Sequence, residues 1–171
     1  MVKISVPENN LKKYDVIHMF SDVVTTQYLY ENTPPEIIQK NVIIYLEKGD
    51  TYQNSKQKIN ELFSELNLTT KSESLIGIGQ SSLQVLGVYN NDFKFFGLID
   101  PLLKNNFLRL NFSINSNIVY NTQNWVNQPL NQKLLTGLSD KLEFNTQKEE
   151  KDLSTVELIS YFLEKYKNSL I

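Results

Sequence analysis

Leu75-Ile76-Gly77-Ile78-Gly79-Gln80-Ser81-Ser82 is the stretch whose reading decides the fold of this chain. It opens as an apolar run, passes two glycines one residue apart, and ends in paired serines. A short apolar run closed by glycine reads as a buried strand, here Ser74–Ile78. Ser82–Tyr89 reads as a short helix, so the glycines mark a tight strand-to-helix turn.

The same alternation extends in both directions. Upstream, Lys3–Val6, Asp15–Phe20 and Asn41–Leu46 read as strands. A short helix is expected over 34–39, where Pro34-Pro35 suits a first turn. Tyr52–Leu66 reads as a longer helix, because Ile59, Leu62, Phe63 and Leu66 fall at i, i+3, i+4 and i+7 and form one apolar stripe. Downstream, Phe93–Asp100 reads as a strand stopped by Pro101, and Asn117–Tyr120 and Lys141–Asn145 as two more. Pro129–Leu138 reads as a helix. The last helix begins at Ser154, which with Glu157 forms a capping box. Strands alternating with helices predict a doubly wound, mainly parallel α/β sheet of about six or seven strands, with helices on both faces. In such a sheet ligands gather beyond the C-terminal strand ends.

The chain of 171 residues is expected to form one domain. With 40% hydrophobic residues it can build an ordinary core. A net charge of −2 without a Lys/Arg stripe argues against a nucleic-acid surface. No apolar run reaches the ~20 residues of a membrane span, and no apolar stretch follows Met1, so a cytoplasmic location is expected. Cysteine is absent, which removes disulfides, thiolate metal sites and cysteine nucleophiles. His18 is the single histidine, and no spaced Asp/Glu motif accompanies it, so neither metal nor cofactor is expected. The chain has no alanine, and Arg109 is its lone arginine among many lysines. That bias reads as coding in a very AT-rich genome, as in some bacteria, phages and parasites.

The turn after Gly79 resembles the nucleophile elbow of the α/β-hydrolase family, in which a serine stands on a strained strand-to-helix turn. Gly79-Gln80-Ser81 matches its first half, and Leu83 departs from the second small position. The order of elements from Asp15 to the C-terminus is similar to that family. The resemblance implies Ser81 as nucleophile, backbone donors from Met19 and Ser82, and His18 at the loop that normally carries a His-Gly pair. It also puts Asn121-Thr122-Gln123-Asn124 where the family bears its acid, and an amide at Asn124 cannot hold the charge that stabilises an imidazolium. The family's histidine would fall within 148–151, which reads Lys-Glu-Glu-Lys. The expectation is therefore an α/β-hydrolase-like domain with reduced or lost catalysis, serving an unknown protein partner or an assembly such as a virus or phage particle. Two other readings stay open. One is a small serine esterase using Ser81 with His18 as base, oriented by Asp15, Asp22 or Asp100. The other is a nucleotide-binding module, since Gly77-x-Gly79-x-x-Ser82 approximates a dinucleotide fingerprint and Asp100 ends the next strand.

Overall fold

Val16, Ile17, Met19 and Phe20 are all buried although they point alternately to opposite sides of their strand, as a strand covered on both faces requires. That strand is central in a computed structural model describing residues 2–88, 90, 92–102, 117–121, 128, 129, 131, 143–146 and 155–171. Residues 117–121, 143–146 and 155 are described through their backbone.

The strands are β1 (Lys3–Ser5), β2 (Lys13–Ser21), β3 (Asn41–Leu46), β4 (Thr69–Ile78), β5 (Phe95–Ile99), β6 (Asn117–Asn121) and β7 (Glu143–Thr146). They lie in the order β1-β3-β2-β4-β5-β6-β7. Edge strand β1 runs antiparallel to β3, and every other pairing is parallel. The described helices are α1 (Thr26–Asn32), α2 (Pro35–Lys40), α3 (Tyr52–Leu66), α4 (Ser82–Val88), α5 (Thr155–Lys165) and α6 (Lys167–Leu170).

Each sheet face has its own core. Tyr14, Val16 and Phe20 share one with Ile59 and Phe63 of α3 and Val85 of α4. Ile17 and Met19 point the other way, toward Leu29 of α1, Ile37 of α2 and the α5 stripe Leu158, Ile159, Phe162 and Tyr166. The doubly wound, mainly parallel sheet with helices on both faces is thus the observed architecture.

Two local expectations are revised. Helix α1 was not expected, because Val23-Val24-Thr25-Thr26 has strand-favouring composition. Thr25 caps it by accepting from the Tyr28 amide, and Leu29 buries its inner face. Strand β4 starts five residues earlier than expected, since its polar half, Thr69–Glu73, pairs with β2 from Lys13 onward. Asn67, which reads as a chance glycosylation sequon, closes α3 in the left-handed conformation that asparagine tolerates. Most of 129–138, residues 141 and 142, and Ser154 lie outside the described residues.

The C-terminal turn is tied to the sheet. Leu170 is buried, and its carbonyl accepts from Asn41 Nδ2 at 2.7 Å. Leu170→Ala is expected to destabilise the fold by about 2–4 kcal/mol, through lost burial and a residual cavity. Urea denaturation measures this, and a loss below about 0.5 kcal/mol would mean that α6 does not dock as described.

Candidate functional site

From β2 the chain turns into α1 on one face, and from the neighbouring β4 it turns into α4 on the other. The divergence leaves a crevice above the C-terminal ends of the two strands, where open parallel sheets hold their ligands. Its floor is the turn after Ile78. Gly79 adopts φ +63, a left-handed conformation that glycine enters without a Cβ clash. Gly79–Ser81 form a 3-10 turn, and the Ser82 amide donates back to the carbonyls of Gly79 and Gln80.

Asp22, the first residue beyond β2, leans over this turn. Its Oδ2 accepts from the Gln80 amide at 3.1 Å. Its Oδ1 lies 2.6 Å from where a Cβ on Gly79 would stand. A side chain at position 79 would therefore collide with the Asp22 carboxylate. A third segment joins in, because the Leu102 amide donates to the Gly79 carbonyl at 3.1 Å. Asp22 Oδ1 and Ser82 Oγ are the two buried side-chain polar atoms without a hydrogen-bond partner among the described residues. Both belong to this turn. Above it lies an open cleft of about 350 Å³, lined by Asp22, Lys48, Gln80, Ser81, Gln84 and Leu102 among others.

The predicted site residues are arranged differently from the sequence expectation. Ser81 is nearly buried beside the cleft, but the residue in the left-handed conformation at the bend is Gly79, two positions earlier. Ser82 does not offer its amide to the crevice, because that amide is used within the turn. The outward donor is Gln80, and Asp22 occupies it. Met19 lies within β2, in register with Tyr45 on one side and Ile76 on the other, so its main chain serves the sheet. Asp15 accepts from Ser72 and pairs with Lys94. Asp100 follows β5 with φ +42, an uncommon conformation that aspartate tolerates. Asn124 and residues 148–151 lie outside the described residues.

His18 is not brought to Ser81. It is fully buried between the sheet and α3, and both ring nitrogens are taken. Nδ1 lies 2.6 Å from Ser55 Oγ and Nε2 lies 3.0 Å from Glu73 Oε1. Glu73 can only accept, so Nε2 carries the proton and Nδ1 accepts from the Ser55 hydroxyl. Lys56 Nζ reaches the same Glu73 oxygen at 2.8 Å, and the Tyr52 hydroxyl donates to the same carboxylate at 3.1 Å. Burial holds the imidazole below its usual 6.5 and outweighs the pull of the Glu73 carboxylate. Burial also pushes Glu73 up, but hydrogen bonds from His18 and Lys56 overcome it and hold the carboxyl at about 2. The pair is a neutral imidazole against a carboxylate. In contact order it is a serine–histidine–acid chain, yet Ser55 is wholly buried and no substrate reaches it.

Sequence reasoning missed Ser55, Glu73, Tyr52 and Lys56, and placed Asp22 only as a possible orienter of His18. Period-2 alternation from Leu75 and Gly77 back to Glu73 was the one available signal that Glu73 faces inward.

No protein-family model matches the chain, and no curated protein does. Solved structures do match. Est1E from Butyrivibrio proteoclasticus aligns with a TM-score of 0.60 at 9% identity, over 99% of this chain and 93% of that one. The carboxylesterase of Bacillus cereus aligns with a TM-score of 0.57 at 12% identity, over 98% and 93%. A soluble variant of monoglyceride lipase from Saccharomyces cerevisiae aligns with a TM-score of 0.59 at 10% identity, over 99% and 90%. The chain has the α/β-hydrolase fold. Among the described residues no helix is long and apolar enough to cross a membrane.

Proposed function

We propose that this domain keeps the α/β-hydrolase fold without its hydrolytic chemistry and acts in binding or in an assembly. The single observation that carries this reading is Gly79. The fold's nucleophile belongs at the bend of the strand-to-helix turn, where a serine would be strained. Here the bend residue has φ +63 and no side chain, and an aspartate carboxylate fills the space above it. A serine without an adjacent base is a poor nucleophile, and the ring of the chain's one histidine is already engaged by Ser55 and Glu73. The Asp22 carboxylate also takes the amide that an oxyanion would need, and adds a negative charge where one would have to develop. The AT-rich, alanine-free composition agrees with a virus or phage particle as the assembly.

Incubation with a fluorophosphonate probe and a panel of short-chain esters tests the reading. The expected result is no covalent adduct by intact-mass measurement and no turnover above buffer. An adduct that disappears in Ser81→Ala would overturn it and establish the esterase alternative.

A further inference from the structure

The crevice holds two opposite charges that do not meet. Asp22 and Lys48 line the same cleft, and among the described residues neither forms an ion pair. Asp22 is restrained instead. The Gln80 amide fixes Oδ2, and Oδ1 is directed at the bare Cα of Gly79 with no donor. A buried carboxylate oxygen without a donor is uncommon and calls for a partner. Val23, half exposed, stands beside it, with Cγ1 3.4 Å from the same point above Gly79. Leu102, also half exposed, adds apolar surface to the cleft lining. The volume of about 350 Å³ suits a small ligand.

We infer that this cleft binds a small zwitterion with an apolar body, of the α-amino-acid class. The ammonium group of the ligand would supply the missing donor to Asp22. The carboxylate would pair with Lys48, and the side chain would lie on Leu102. Charge-assisted bonds of this kind are stronger than neutral ones, so both ends of the ligand should count. The inference rests on the binding reading of the domain and names its ligand class.

Titrating the isotope-labelled full chain with L-leucine, followed by amide NMR, tests this. L-leucine amide retains only the cation and N-acetyl-L-leucine only the anion. The expected result is saturable shifts at Gln80, Ser81 and Gln84 with leucine, and affinity lower by about tenfold or more for either half-ligand. Asp22→Asn, which preserves shape, should weaken leucine and leucine amide by a similar factor and leave N-acetyl-leucine unchanged. Lys48→Gln should do the reverse. Absence of shifts at tens of millimolar leucine, or binding indifferent to both substitutions, overturns the inference. Such a failure is separable from a failure of the non-hydrolytic reading, which shows as covalent labelling in the fluorophosphonate assay.

Discussion

Gly77→Val will leave little or no folded protein under conditions where the parent is fully folded. At Gly77, β4 packs closely against α4. A Cβ there would stand 2.8 Å from Ser82 Cα, 3.0 Å from Val85 Cγ2 and 3.2 Å from Leu98 Cδ2. The nearest obstacle is backbone, so no rotamer change relieves it. Overpacking by one methyl in a tight core costs about 1–3 kcal/mol. Valine adds two more methyls in the same space, and the total should exceed about 4 kcal/mol, a large part of a typical domain's stability. Gly77→Ala provides the graded control, folded but weakened. Circular dichroism and urea denaturation of both variants measure the effect. A valine variant within about 1 kcal/mol of the parent would mean that the strand-to-helix packing is looser than described.

The second large effect concerns His18 and Glu73, and it depends on pH. The signs of both groups agree. Glu73 is held at about 2 against an ordinary 4.5, so its contribution is complete above the ordinary value and disappears as pH falls toward 2. Solvent reaches part of the carboxylate, so the contribution is discounted to about 1–2 kcal/mol. His18 is held below 6.5, so the unfolded chain takes up its proton first, and folding weakens further as pH drops below 6.5. The charged and titratable groups against the ring are Glu73 from β4 and Lys56 and Tyr52 from α3. The fold should therefore lose stability steadily from pH 6.5 down to pH 2. His18→Ala should cost about 3–5 kcal/mol at pH 7, since it opens a cavity and strands the buried Ser55 hydroxyl. It should also remove the histidine part of the acid dependence between pH 6.5 and 4.5. Thermal unfolding across that range checks both points. A His18→Ala variant as stable as the parent, or with an unchanged pH slope, would show that the ring is not held as described.

Much of the architecture was legible in the chain. The i, i+3, i+4, i+7 stripe through Ile59, Leu62, Phe63 and Leu66 marks the inward face of α3, of which Ile59 and Phe63 are buried. The apolar runs of β3 and β5 show strands covered on both sides. Helix α1 was obscured because Thr25 and Thr26 favour strands by composition, while in place Thr25 serves as a cap. The site was far less legible. A two-glycine turn gives the location of the bend but not which residue carries it. Ser81 reads as the elbow residue on chemistry alone, and the backbone puts the left-handed conformation on Gly79.

By itself, then, the sequence determined the periods, the faces and the existence of a sharp turn leading from a buried strand to a helix, because those depend on neighbours a few positions apart. Tertiary structure alone decided what each polar group touches. His18 meets Ser55 and Glu73 across 37 and 55 positions, and Asp22 meets Gln80 across 58. Such contacts depend on strand register and on which face each crossover takes, and neither is written in any local stretch of residues.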